Sequence, residues 1–321
     1  MMHNLTSIAK NTLVETLRQP VYAVIIFIAL LLFLVSPSLS MYTMDDDNKL
    51  LREIGLSTLF LTSLFIAIFS ASGAVSVEIE NKTVMTVLTK PVQRPIFILA
   101  KFLGVLGALA LAHYICTIAL LMAIRHGVLE TASDTHDWTV IGAAGAIAGL
   151  TILLSAFFNF AYDWKFGATA VVTAAILATF GIVFLAFIDR NWKFNPAENG
   201  IHMLDIYGSI LLFLAAIVIA ALAVAISSRF NMMVTLSACM GLFLLGLISD
   251  YVFGRFAETH IWARIGRCLV PNLQVFWISD AIYEGTQVPA RYLLISGSYA
   301  LCYTVAILAL AVALFQRRQV G

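Results

Sequence analysis

Charge is what this chain has least of. Asp, Glu, Lys and Arg make up 12% of its 321 residues, whereas a soluble domain carries about 25%. That deficit excludes an ordinary water-soluble globule, and apolar residues fill the gap, at 61% of the chain and a mean hydropathy of +0.95. The net charge is only +1, so nucleic acid is not expected as a partner, because phosphate recognition needs a basic surface. The four cysteines, Cys116, Cys239, Cys268 and Cys302, show no C-x-x-C spacing. They read as packing residues, since a free thiol behaves as a small hydrophobe. No Gly-Lys dipeptide occurs, which excludes a phosphate loop of the G-x-x-x-x-G-K-[ST] kind. H-E-x-x-H and G-x-S-x-G are missing too, and with them two common hydrolase signatures. No catalytic, metal or cofactor residues are expected on this chain.

What is present is a series of long apolar runs, near 21–39, 54–77, 102–124, 139–161, 167–188, 208–227, 232–252 and 293–315. A hydrocarbon core of about 30 Å takes about 20 helical residues to cross, so these eight runs predict eight spans. Backbone groups in lipid must bond within the protein, and the runs lack the strict alternation of a barrel strand. The expected fold is therefore all-α, a polytopic transmembrane helical bundle of about eight spans over 20–316, with a tail at 317–321.

Residues 1–19 carry a pattern of their own. Leu5, Ile8, Ala9, Leu13 and Leu17 share one helical face, Asn4, Ser7, Asn11, Glu15 and Arg18 lie opposite, and Pro20 closes the segment. This predicts an N-terminal amphipathic helix lying at the membrane interface; the competing reading is an extension of the first span. A cleaved signal peptide is not expected, because the 21–39 run exceeds an h-region of about 7 to 15 residues.

Orientation rests on a near tie. Ten basic residues fall on the side of the termini and nine on the other. The loops nearest the N-terminus weigh most, and there the 78–101 connection, with Lys82, Lys90, Arg94 and Lys101, opposes the 40–53 loop with Lys49 and Arg52. Both termini are expected in the cytoplasm.

The 78–101 connection is unusually elaborate for a link between spans. Glu78, Glu80 and Lys82 end the second run abruptly, since each charge near mid-membrane costs about 2.5 to 3.5 kcal/mol. Residues 80–90 can form a surface helix, and Pro91 and Pro95 bracket a turn. Helix resumes with Ile96, and Lys101 is expected to snorkel to the headgroups. Such an element presents Lys90, Arg94 and the carboxylates to a docking protein.

The order Glu78, Thr83, Leu88, Pro91, Val92, Arg94, Lys101, Gly104 resembles the signature of permease subunits of type-2 ATP-binding-cassette (ABC) exporters. Lys82 and Ala100 stand where Gly often occurs in that signature. The resemblance implies that 78–95 is a coupling segment seating against a separate cytoplasmic ABC ATPase subunit, which would bind the ATP. It also implies a second permease copy or a relative as partner, and a cell membrane location, in bacteria the inner membrane. A weaker likeness links Leu269–Phe276 to an outer re-entrant or interfacial segment of some such permeases, whose members usually have six spans.

Other polar residues carry less. His113 lies near the middle of the third run and is either neutral and bonded to a neighbour or lines a wet pathway. Asn159 and Asp250, near span ends, read as structural. Gly145 and Gly149 form a G-x-x-x-G pair, expected to pack within the subunit. Asp45, Asp46 and Asp47, and His126, Glu130, Asp134, His136 and Asp137, have a divalent-cation donor chemistry but no fixed-face spacing, so they read as solvated loops. The 253–292 loop mixes Arg255, Arg264 and Arg267 with Trp262, Trp277 and Tyr283, the chemistry of an outer interfacial segment; a lid over an exit is the functional alternative. Two other functions remain in view. A non-transporting membrane anchor or scaffold for an ATPase would use the same docking segment. A secondary transporter would be expected to place a charge for ion coupling inside its spans.

Overall fold

The computed structural model describes residues 2–40, 47–80, 93–129, 135–196, 200, 202–284, 286 and 288–316. Twelve α-helices are found among them. They are α1 (Met2–Leu17), α2 (Pro20–Ser40), α3 (Asp47–Glu80), α4 (Arg94–His126), α5 (Trp138–Tyr162), α6 (Phe166–Phe187), α7 (Met203–Ser227), α8 (Met232–Leu247), α9 (Ser249–Val252), α10 (Ile261–Leu269), α11 (Ser279–Tyr283) and α12 (Ala290–Gln316). An isolated bridge between Ile188 and Phe194 is the β pairing seen among the described residues.

The fold is the expected all-α polytopic bundle. Seven helices are long and apolar enough to cross a membrane, and an eighth span arises if a bent pair counts as one. That pair corrects the straight span read at 232–252: after α8 the chain bends by 67° into Ser249–Phe256. The bend follows from what comes later. Leu273 is fully buried and donates its N–H to the Gly246 carbonyl at 3.0 Å, and a Cβ at Gly246 would lie 2.8 Å from the Pro271 carbonyl. The 271–276 stretch thus occupies the space that a straight α8 would need.

Helices α3, α4 and α7 form the centre, with 61–72% of their apolar windows buried, while α2, α5, α6 and α12 have only 17–28% buried. In water such exposed apolar faces would be unstable; in lipid they are the expected outer surface. Helix α3 packs on α7, α4 and α2, α12 packs on α7, and α5 pairs with α6.

Helix α1 is separate from α2, ending before Arg18 and Gln19. It lies along α4 rather than only against lipid, with Thr12, Thr16 and Leu17 buried. Gly104 allows this approach, since a Cβ there would sit 2.5 Å from Thr12 Cβ and 2.7 Å from the Ala9 carbonyl oxygen. The G-x-x-x-G expectation fails by the same measure: a Cβ at Gly145 or Gly149 would meet nothing within 4 Å.

At the opposite end of α4, an ionic knot fastens the α5–α6 hairpin. Asp137 caps α5, one oxygen accepting the N–H groups of Thr139 at 3.1 Å and Val140 at 3.2 Å. Its other oxygen meets Arg125 Nε at 3.3 Å and Arg190 Nε at 3.5 Å. The Arg125 guanidinium also donates to Thr139 Oγ1 at 3.0 Å, to the Ile188 carbonyl at 2.7 Å and to the Leu185 carbonyl. Asp137 is fully buried and Arg125 nearly so, so Asp137 is not the solvated loop residue that was expected. His126 and His136 approach to 3.3 Å between ring nitrogens, but Asp137 is committed to the arginines.

Burial alone would push the Asp137 carboxyl up, yet the bonds from Thr139, Val140 and Arg125 outweigh it and hold the pKa below the usual carboxylate value. A depressed folded pKa contributes stability that is present above the unfolded pKa and lost as pH falls through the folded one. Arg125→Met, which strands a buried carboxylate, is expected to lose about 3–5 kcal/mol. The measurement is thermal unfolding in detergent; wild-type stability through this knot should stay level across neutral pH and weaken only below the ordinary carboxylate range.

Candidate coupling site

Four helix ends converge on one face of the bundle. Ser76, near the end of α3, donates to the carbonyls of Phe230 at 2.9 Å and Ser227 at 3.2 Å, which lie in the turn after α7. Arg229 in that turn donates to the Leu314 carbonyl at 2.6 Å, and Arg94, the first residue of α4, donates to the Gln316 carbonyl at 2.7 Å. Two guanidiniums therefore satisfy the carbonyls left open at the end of α12, where the helix dipole also favours positive charge. Phe97 stacks on Phe315 with centroids 5.6 Å apart and planes 18° from parallel. Lys101 Nζ stands 5.7 Å from the Phe97 centroid.

The sequence-read residues distribute unevenly over this site. Glu78 and Glu80 belong to the last turn of α3. Thr83, Leu88, Lys90 and Pro91 lie outside the described residues, so the surface helix read at 80–90 is not addressed beyond Glu80. Arg94 opens α4 with Pro95 in the first turn, where the missing N–H of proline is harmless. Two expectations are corrected. Arg94 does not simply point at solvent but is engaged with the end of α12, and Lys101 does not snorkel outward but is buried at 3% exposure. Lys101 follows Phe97 by one helical turn, and that face packs inward against α12.

Sequence reasoning missed Ser76, Arg229, Phe97 and Phe315. A lone cation between two apolar runs was a signal available for Arg229. Its partner was not legible, because a backbone carbonyl 85 residues away leaves no mark in the side-chain pattern.

His113 sits within the membrane-crossing part, 6% exposed, between α3, α4 and α7. Its Nε2 lies 3.0 Å from the Ser209 carbonyl, an acceptor only, so the ring proton belongs on Nε2. Its Nδ1 then accepts from Ser63 Oγ at 2.8 Å, and Thr117 joins through Ser209 Oγ at 2.6 Å. Of the two readings of His113, the bonded one matches this geometry. One turn before Ser209, Asp205 is 1% exposed and paired with Arg52 at 3.1 Å. The sequence placed the start of that span at 208, so this carboxylate was overlooked as a helix residue.

Asn159 and Asp250 are structural, as read. Asn159 donates to the Trp164 carbonyl at 2.6 Å, and Asp250 accepts from Asn272 at 2.9 Å with Arg267 at 3.5 Å.

A long-helix bundle with apolar outer faces and polar helix ends gathered at one surface is a multi-pass membrane protein. Residues 28–232 match the model of the ABC-2 family transporter proteins, and the chain belongs to that family. It is thus an ABC transporter permease, a membrane subunit rather than an enzyme. No curated protein matches the chain.

Removing both guanidiniums by Arg94→Ala with Arg229→Ala strips the α12 terminus of charge-assisted bonds, each worth about 1.5–3 kcal/mol. Backbone hydrogen exchange over 308–316 is expected to rise about tenfold or more, with exchange in α5 unchanged.

Proposed function

We propose that this chain is the membrane-spanning permease subunit of an ABC exporter, with a separate cytoplasmic ABC ATPase subunit docking on the 78–95 coupling segment. The reading is carried by one observation, the meeting of α3, α4, α7 and α12 at Ser76, Arg94 and Arg229. Movement of the α3 end or the α4 start would be passed to α7 and α12 through these bonds. That is the mechanical requirement for turning ATP-driven closure of a partner into a change of access across the bundle. ATP would be held by the partner, since this chain has no Gly-Lys dipeptide. Both termini and the 78–101 connection then face the cytoplasm of a bacterial inner membrane, and a second permease copy or a relative completes the assembly.

Glu78, Glu80, Thr83, Leu88, Lys90 and Pro91 are assigned to the docking face, and Arg94 and Lys101 to its anchorage in the bundle. The 253–292 segment forms the outer interfacial region. His113 is assigned to interhelical bonding rather than to a pathway.

The reading predicts co-purification with a cytoplasmic ABC ATPase. A Glu78→Ala, Arg94→Ala double variant should lose most of the ATP turnover that the permease confers on that ATPase in proteoliposomes, while still reaching the membrane. In a Cys268→Ser background, Lys90→Cys should resist a membrane-impermeant maleimide in intact cells and react in inside-out vesicles. Unchanged turnover in the double variant, or labelling of Cys from outside, would sink the docking assignment.

A further inference from the structure

Beside the turn from α1 into α2 lies a groove of about 550 Å³ that the coupling site does not use. It opens between α1 and the turn joining α5 to α6, and is lined by Lys10, Asn11, Glu15, Arg18, Gln19 and Lys165. Lys10, Arg18 and Lys165 are exposed, and among the described residues no ion pair or side-chain hydrogen bond engages them. Three unengaged cations against one carboxylate is an unusual local excess for a chain of net charge +1.

The depth of the groove is set by its surroundings. Tyr162 and Trp164, in the same turn, are exposed at 61% and 53%, and Trp164 stacks on Phe158 with centroids 5.0 Å apart. Exposed Trp and Tyr at the end of an apolar span mark the headgroup level. Further along the two helices that start beside the groove, Val24 and Phe27 on α2 and Phe166 on α6 are exposed apolar side chains. The groove therefore offers cations at the height of lipid phosphates and apolar surface next to them.

We propose that this groove binds the phosphate of an anionic phospholipid, gripped by Lys10, Arg18 and Lys165, with its acyl chains along α2 and α6. Phosphate is the chemistry recognised, and the apolar surface beside the cations favours a lipid over a soluble phosphate. The site would pin α1, and with it the α4 helix that α1 overlies, to the anionic leaflet.

The test is native mass spectrometry of the full chain in detergent, titrated with dioleoylphosphatidylglycerol or dioleoylphosphatidylcholine. Each cation near an anionic surface is worth about fivefold in affinity, so the wild type should prefer the anionic lipid by roughly 25- to 100-fold. Lys10→Gln, Arg18→Gln, Lys165→Gln together should abolish that preference, which rests on the net negative charge that phosphatidylglycerol has and phosphatidylcholine lacks. Glu15→Gln should raise it about fivefold, which keeps the proposal testable if the triple variant misfolds. A preference that survives the triple variant and ignores Glu15→Gln overturns the site. Displacement of the bound lipid by inorganic phosphate at millimolar concentration overturns the lipid assignment in favour of a soluble anion.

Discussion

Polar groups inside a lipid-embedded bundle have no water to fall back on, and that constraint shapes how the helices of this structure are matched. His113 is matched to Ser63 and Ser209, Asp205 to Arg52, and Arg125 to Asp137, Thr139 and two carbonyls. Each match joins different helices, so each polar group kept in the interior doubles as an instruction about which helix lies next to which. Apolar contacts alone would not give that information, because a lipid tail and a leucine side chain are nearly equivalent neighbours.

The same logic divides the molecule into two ends of different character. At the Arg94 end, side chains bond to backbone carbonyls at the helix termini, and the elements joined are long. At the other end, ion pairs make the connections: Asp205 with Arg52 joins α7 to α3, Asp137 with Arg125 joins the start of α5 to α4, and Asp250 with Arg267 joins the short helices α9 and α10. A transporter subunit needs one surface that receives motion as a unit and another where the barrier can part.

Much of the architecture was legible in the residues. The spans follow from hydropathy, because about 20 apolar residues have few other uses, and the break at Pro20 separates α1 from α2 as read. What failed to be legible has a common cause. The bend after α8 depends on Leu273 taking up space beside Gly246, the burial of Lys101 depends on how α12 lies, and the Arg94 and Arg229 partners are backbone carbonyls. In each case the deciding neighbour is distant in sequence and carries no periodic or chemical mark. The G-x-x-x-G reading erred in the opposite direction: the pattern permits close approach, but nothing in the subunit comes near Gly145 or Gly149. The family signature pointed to the correct class, although three of its residues, Arg94, Lys101 and Gly104, are held by this chain's own packing.

The kink at Ile248 has a mechanical consequence. A continuous helix resists bending through its whole ladder of hydrogen bonds, whereas a wall assembled from α9, α10, α11 and the stretches between them can shuffle by exchanging a few local contacts. The end of the molecule beyond Ile248 is accordingly built of small tiles held by local contacts, where an unbroken helix would have made one stiff rod.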